Sequence, residues 1–386
     1  MLILCTNSWS HHMGPLCREL SKALNGEFRM LISRPLTHPD SVARMKNGWI
    51  ITPPKESWII GPPKSDVAWF TGPYNDLILR SEVAIIGAVS IGAAGTIQKR
   101  VRQGKLTFFM GERIFKKPRL WTDYLNPRRI ASWIRMHICY SHLNVHYLTM
   151  GHGCVEDLRF LHACRGRIWR WGYLAQVSSS PVEKSPHEKI RIGWCGRLIW
   201  WKKVDYILHA FARLPAQIRD CAEIQIVGSG AEESRLKGLC KQLCLDEFVT
   251  FTPFMRADDI RRWMQDLDVY VFPSNRMEGW GVALGEAMDS TCAVIANKEA
   301  GSTLELVVDG VNGFTFEDGD ITKLCMRLRQ LIENAVLRRE LGLSAWRTMQ
   351  NWSPAEGAKR LLSLIEQVSR NEPPRMSDGG LCSLRR

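Results

Sequence analysis

A chain of 386 residues, 45% hydrophobic and 24% charged, has the length for roughly two domains and the apolar content for sizeable cores, which excludes a disordered or low-complexity protein. Its longest apolar runs, such as Val83–Gly95, are too short and too glycine-rich to cross a bilayer. Residues 1–185 carry 25 Lys and Arg against 12 Asp and Glu, the whole of the net +13, while 186–386 carry 27 of each, so an anionic partner would be met by the first half.

The opening run Met1-Leu2-Ile3-Leu4-Cys5 has no basic region before it and is followed at once by Asn7, Ser8 and two histidines. It reads as a first buried strand and not as a signal peptide. The twelve cysteines show no CxxC pair, which predicts reduced thiols in a cytoplasmic protein. Cys240 and Cys244, four apart on a predicted helix, read as packing residues rather than metal ligands. Leu2–Cys5, Met30–Ser33, Val67–Phe70, Val83–Ile86, Leu106–Met110 and Val145–Met150 predict buried strands alternating with helices. The stretch 126–142 places Ile130, Trp133, Ile134, His137 and Ile138 on one helical face with Arg128, Arg129 and Arg135 off it. With Lys116, Lys117 and Arg119 upstream it fits either a helix lying on an anionic membrane surface or an ordinary helix packed on its domain.

"VSSSPVEKSPHEK", 177–189, has the composition of a linker. A second strand–helix series follows. Strands are predicted at Ile190–Cys195, Glu223–Val227, Val249–Phe251, Val269–Phe272 and Ala293–Ala296. Helices are predicted at Val204–Leu214, Glu232–Leu243, Asp258–Gln265 and Leu284–Asp289. Two such series imply two doubly wound α/β domains, with ligands at the carboxyl ends of the strands. Ser353 and Pro354 start a last helix through about residue 369, and "NEPPRMSDGGLCSLRR" has the composition of a disordered tail. The expected organisation is an N-terminal domain over 1–178, a linker over 179–189, a C-terminal domain over 190–352, a helix over 353–370 and a tail over 371–386.

Three clusters carry chemistry. In "MEGWGVALGEA", 277–287, Gly279 and Gly281 allow close backbone approach to a ligand, and a helix beginning near Val282 points its positive end there. Glu286 on that helix suits vicinal ribose hydroxyls. The plainer reading is a helix start with acidic residues near its dipole, and both stay open on this stretch alone. In "GWCGRLIWWKKVD", 193–205, Arg197 offers a planar fork and Lys202 a point charge for phosphate oxygens, and together they would stabilise a departing diphosphate. In "VGSGAEESRL", 227–236, Gly228 and Gly230 follow a strand and precede a helix, without the third glycine of a dinucleotide fingerprint.

In this order and spacing, the three clusters resemble the family 4 retaining glycosyltransferases of the GT-B fold. Gly196-Arg197 with Lys202 resembles that family's G-R-L-x(4)-K element, and Gly228-x-Gly230 its G-x-G turn. Asp268, Pro273, Ser274, Glu278, Gly279 and Gly281 through Glu286 resemble its E-x7-E signature. Glu305, Asp309, Gly310, Asn312 and Gly313 fall in register with the stretch that follows. The resemblance implies that Arg197 and Lys202 bind the donor diphosphate and Glu286 the ribose, with Glu278 near the donor sugar. Gly196, Gly228, Gly230, Gly279 and Gly281 would shape the donor pocket. The sequence departs from the pattern at Lys203, where the family has glycine, and at Ser290–Val294, which stands for GxPVV. It departs again at Ala300-Gly301, which stands for paired glycines. Trp280 is expected to form a larger wall of the donor pocket.

The first half is similar to bacterial surface-polysaccharide enzymes of the family in "FFMGERIFKKP" and "WRWGYLAQV". It offers His11, His12 and Gly14, in "SHHMG", and Glu112 and Arg113 as candidates for the acceptor side. His152 reads as structural. The resemblance thus implies two Rossmann-like domains facing across a cleft and glycosyl transfer with retention. The donor would be a nucleotide-diphosphate sugar and the acceptor a glycan or a polyprenyl or other lipid-linked molecule. It implies no metal and no further cofactor. The place would be the cytoplasm or the inner face of its membrane. A nucleotide-sugar 2-epimerase on the same fold and a catalytically silent binding relative are the alternatives, and the intact Arg197, Lys202, Glu278 and Glu286 argue against the second. Nucleic acid is not an expected partner, because the basic half lacks interleaved aromatic stacking motifs.

Overall fold

The computed structural model describes residues 1–10, 12–34, 36–46, 52–61, 73–87, 94–115, 127–134, 143–372 and 379–385. The chain divides into two units, Met1–Gln176 with Trp352–Arg386, and Val177–Asn351.

In the first unit the described strands are β1 (Leu2–Thr6), β2 (Phe28–Ile32), β3 (Ile59–Ile60), β4 (Val83–Ile86), β5 (Thr107–Gly111), β6 (Val145–Met150) and β7 (Ile168–Trp171). They pair in the order β3-β2-β1-β4-β5-β6-β7, all parallel. Around them lie helices α1 (Gly14–Ala23), α2 (Pro39–Lys46), α3 (Pro73–Arg80), α4 (Ala94–Arg102), α5 (Pro127–Ile134) and α6 (His152–Phe160). The strands read as continuous apolar runs because both faces of a parallel sheet are covered. Ile3, Leu31, Phe109 and Val145 are among the core residues at 3% exposure or less. The predicted strand Val67–Phe70 lies outside the described residues.

The second unit holds β8 (Ile190–Cys195), β9 (Ala222–Val227), β10 (Val249–Thr252), β11 (Val269–Phe272), β12 (Ala293–Asn297) and β13 (Phe314–Phe316). Their order is β10-β9-β8-β11-β12-β13, again all parallel. Its helices are α7 (Val204–Ala212), α8 (Ala216–Arg219), α9 (Glu233–Gln242), α10 (Ala257–Gln265), α11 (Val282–Asp289), α12 (Thr303–Leu306), α13 (Ile321–Glu333) and α14 (Ala335–Gln350). Strand order reverses between β8 and β11, so the crevice at their carboxyl ends is the natural ligand position of this sheet. Trp194, Ile207, Phe211, Val271 and Phe316 build the core beneath it, each such buried side chain contributing about 1.5–3 kcal/mol.

Helix α15 (Pro354–Ser369) belongs to the first unit and packs on α1. Ser353 caps it by accepting the Glu356 N–H at 3.3 Å, and Pro354 occupies its first turn.

Four expectations need correction. Residues 379–385 are no disordered tail. The Cys382 N–H donates to the Arg170 carbonyl at 2.8 Å, the Arg170 N–H to the Ser383 carbonyl at 3.0 Å and the Arg385 N–H to the Ile168 carbonyl at 2.8 Å, which adds an antiparallel bridge to the edge of β7. Leu381 and Cys382 are buried there at 1% and 0% exposure. The stretch read as a linker is fastened to the second unit. Buried Asp289 accepts the Ser178 amide at 2.8 Å and hydroxyl at 2.9 Å, Thr291 Oγ1 accepts the Val182 N–H at 2.9 Å, and the Lys184 ammonium donates to the Ser290 carbonyl at 2.6 Å. Cys244 lies beyond the end of α9 with φ 54° and is exposed, whereas Cys240 is buried on the helix, so the two thiols do not share a helical face. The glycine of the GxPVV pattern also belongs one place later. Thr291 has φ 61° and Ser290 has φ −77°, so the left-handed position that favours glycine is Thr291.

The first unit also buries a cation. Arg100 is 0% exposed, and its guanidinium donates to the carbonyls of Ile78, Ser81, Glu82 and Leu106 at 2.6–2.9 Å and to Thr107 Oγ1 at 3.1 Å. Burial pulls it down to about 10.

Candidate functional site

The site begins where β8 runs out. The Gly196 N–H donates to the Val227 carbonyl at 3.0 Å and the Leu198 N–H to the Ser229 carbonyl at 2.9 Å, so the segment after β8 lies directly on the turn after β9. A β-carbon on Gly228 would stand 1.8 Å from the Gly196 oxygen, and one on Gly230 would stand 2.2 Å from the Leu198 oxygen. The G-x-G turn therefore exists to let two backbones touch. Arg197 is exposed on that segment, its guanidinium 6.0 Å from the Trp201 ring.

Trp200–Lys202 forms one 3-10 turn, and Lys203 follows in a left-handed conformation, φ 51°. Its ammonium lies 5.9 Å from the Trp200 ring and 5.4 Å from that of Tyr206. The turn aims the Lys202 ammonium at the Glu278 carboxylate, and the two form an ion pair with each side chain 15% exposed. Glu278 comes from the loop after β11. The Asn275 N–H donates to the Trp201 carbonyl at 3.0 Å, and the Asn275 carbonyl accepts the Glu278 N–H at 2.9 Å. The β8 and β11 loops are thus stapled where the ion pair forms.

Behind Glu278 the chain is tightly held. The Gly301 N–H donates to the Glu278 carbonyl at 3.2 Å and the Ser302 N–H to the Trp280 carbonyl at 3.0 Å, and a β-carbon on Gly301 would meet the Gly279 oxygen at 1.7 Å. Gly281, φ 87°, starts α11, whose fifth residue is half-buried Glu286. Burial pushes the Cys195 thiol up to about 12, its hydrogen bond with the Tyr270 hydroxyl lowers it, and the Glu286 carboxylate raises it further. The Trp280 indole is 2% exposed, so it is core and not the pocket wall expected from the sequence.

In the first unit, His11 lies outside the described residues. His12 donates its N–H to Ser10 Oγ at 3.3 Å and is half-buried. Gly14 begins α1, and a β-carbon there would meet the Trp9 ring at 2.8 Å. Glu112 is half-buried after β5. Arg113 lies on the start of α6, its Nη2 3.3 Å from Glu156 Oε2 and its Nε 3.7 Å from Asp157 Oδ1. Asp157 accepts the Ile114 and Phe115 amides at 2.7 and 2.9 Å, and burial pushes its carboxyl up. Arg113 is thereby a strut between the β5 loop and α6, with its acidic partners 43 and 44 positions away where spacing gives no signal. Within the described part of the stretch 126–142, α5 ends at Ile134, which is 42% exposed, while Lys116, Lys117, Arg119, Arg135, His137 and Ile138 lie outside the described residues. No described helix is long and apolar enough to cross a membrane. Among the described residues no group of three or more His, Cys, Asp or Glu side chains is placed to hold a metal ion.

Sequence reasoning missed three residues of the site's frame: Asn275, Tyr270 beneath β8, and Asn297 at the end of β12. Each is a single polar group in or after an apolar run, which periodicity does not mark.

The fold is shared with HepE of Anabaena, solved in complex with UDP. The TM-score is 0.68 at 16% identity, over 95% of this chain and 99% of that chain, in agreement with the GT-B class that the motifs implied. In sequence the chain is 28% identical over 206 residues to an uncharacterized glycosyltransferase of Methanocaldococcus jannaschii, covering 52% of each. It is 27% identical over 259 residues to the amylovoran biosynthesis glycosyltransferase AmsK of Erwinia amylovora, covering 64% of this chain and 61% of the relative. The chain thus spans 52% and 61% of the length of these two curated relatives. Residues 178–346, nearly the whole of the second unit and every candidate donor residue, match the family described as Glycosyl transferases group 1.

Proposed function

We propose that the chain is a retaining glycosyltransferase of family 4. It moves a sugar from a nucleotide-diphosphate sugar to a glycan or lipid-linked acceptor in the synthesis of a surface polysaccharide or glycolipid. The observation that carries this reading is the Lys202–Glu278 pair, formed by the loops after β8 and β11, where strand order reverses. It sits inside the segment that matches group 1 glycosyl transferases.

Arg197 and Lys202 bind the donor diphosphate and stabilise the charge that develops as it leaves. The Glu278 carboxylate holds the Lys202 ammonium in place. With donor bound, the ammonium turns to the phosphate and the Glu278 carboxylate faces the sugar. Glu286 accepts the ribose hydroxyls. The backbone at Gly196, Gly228, Gly230, Gly279 and Gly281 gives the nucleotide room. On the acceptor side stand His11, His12, Gly14, Glu112 and Arg113, with Arg113 acting chiefly through its contacts on α6. The chemistry needs no metal, so transfer is expected to survive a chelator. The charge excess of residues 1–185 favours an anionic lipid surface.

A thermal-shift screen of nucleotide sugars tests the reading, starting from UDP-sugars because UDP is present in the HepE structure. A true donor at 100 times its dissociation constant stabilises by about 2.7 kcal/mol. Arg197→Ala and Lys202→Ala are each expected to lower turnover about 100-fold or more. Normal turnover in both would sink the assignment. The anomeric configuration of the product decides retention, and a changed sugar from donor alone would reveal an epimerase.

A further inference from the structure

Asn297 ends β12 with its side chain fully buried. Its amide nitrogen donates to the Pro273 carbonyl at 3.1 Å and to the Asp318 carboxylate at 2.8 Å. Its amide oxygen accepts the Glu299 N–H at 3.0 Å. The three partners stand on three loops at the carboxyl edge of the sheet: Pro273 after β11, Glu299 after β12 and Asp318 after β13.

Each contact leads towards the ion pair. From Pro273 the chain runs to Asn275, which is bonded both to the Trp201 carbonyl and to the Glu278 N–H. The Glu299 carboxylate accepts the Arg276 N–H at 3.3 Å, in the same loop. Burial, with the charges of Asp318 and Asp205, pushes up the Tyr206 hydroxyl, in the first turn of α7, which follows Lys202 and Lys203. One buried amide therefore bears on the loops of both Lys202 and Glu278. A buried amide whose donors and acceptor are all engaged fixes geometry, whereas an apolar side chain of similar size would leave the Pro273 and Glu299 groups without it.

We propose that Asn297 is a positioning residue for the donor diphosphate. It sets the position of the 273–278 loop and, through that loop, the approach of Glu278 to Lys202. The inference rests on the donor-site reading above. A residue that merely supported the fold would change stability and the fraction of active protein, and would leave Michaelis constants alone.

The discriminating variant is Asn297→Asp. It keeps the shape but turns an oxygen towards the Pro273 carbonyl and the Asp318 carboxylate. Titration of the full chain with UDP and with GDP, donor and acceptor KM, and amide hydrogen exchange at Asn275 and Glu278 in the empty protein are the readouts. For whichever nucleotide the unmodified protein binds, loss of these hydrogen bonds is expected to weaken affinity about tenfold and raise donor KM equally, with acceptor KM unchanged. Exchange at both amides is expected to accelerate. Adding Asp318→Asn to the Asn297→Asp chain gives the new carboxylate a donor and is expected to recover part of the loss. Should Asn297→Asp fail to fold, Asp318→Ala on an exposed residue tests the same link, with about threefold weaker nucleotide binding expected. A folded Asn297→Asp protein with unchanged exchange and unchanged nucleotide affinity overturns the proposal and leaves the donor reading standing. An unmodified protein that binds neither nucleotide overturns both.

Discussion

The carbonyl oxygen of Gly196 occupies the place of the side chain that Gly228 lacks, 1.8 Å from where a β-carbon would be built. The two residues directly follow the neighbouring strands β8 and β9, and Gly228 has φ 142°. Gly228→Ala must push the Gly196–Arg197 backbone away and is expected to lower stability by about 3 kcal/mol. Nucleotide binding should fall with it. Urea unfolding and nucleotide titration of the same sample check both, and an unchanged affinity would detach this contact from the donor site.

Lys203 stands in a left-handed conformation where the resemblance calls for glycine. An L-residue there carries a steric cost that glycine escapes, so Lys203→Gly is expected to be more stable than Lys203→Ala by about 1 kcal/mol. That order is the reverse of the one found inside a helix. Comparing two variants removes the shared loss of the ammonium contacts with Trp200 and Tyr206. Denaturant midpoints for the pair give the answer.

Acid should weaken the first unit through His146. The ring is 5% exposed and accepts the Trp169 indole N–H at 3.1 Å, and burial, with the nearby Arg167 charge, pushes it down to about 4. A histidine lowered on folding contributes stability that is complete above its unfolded value of about 6.5 and is lost as pH falls towards its folded value. The loss between pH 6.5 and pH 4 is about 3 kcal/mol. His146→Gln should flatten that part of the stability profile, measured by unfolding at pH 7.5 and pH 4.5.

Arg100 should prove far more sensitive than a surface arginine. Removing a buried charge that donates to four carbonyls takes a donor from each, and among the described residues only those of Ile78 and Leu106 keep another, the Ser81 hydroxyl and the Ala84 N–H, so Arg100→Leu is expected to lower stability by about 4 kcal/mol. Arg100→Lys keeps the charge but not the planar fork and should lose less. Calorimetry of the two variants beside the unmodified chain separates charge from geometry.

Much of this was legible in the chain itself. Strands β8 to β12 follow from apolar runs to within a residue, because a strand covered on both faces is written as an unbroken run. Lys202 and Glu278, which the structure joins, lie in the two loops that glycines mark after β8 and β11. What escaped had no period to read. β13 is three residues long, and its Phe-Thr-Phe alternation is too short to stand out. Leu381 and Cys382 dock a stretch whose composition is otherwise polar. Trp280 lies in a glycine-rich loop that suggests exposure, yet the loop folds its indole inward. Asn297 reaches groups 21 and 24 positions away, and nothing local announces them.

The strand-like addition of residues 379–385 to β7 bears on how the protein forms during synthesis. The second unit is an unbroken stretch of chain, and all its strands have left the ribosome once residue 351 has emerged. The first unit, made earlier, still lacks α15 and the cover over its β7 edge. The β7 edge lacks that cover until residues 379–385 arrive, while the unit translated before them can already be folded. The unit that comes first in the sequence is thus the one whose sheet edge is covered by the later segment.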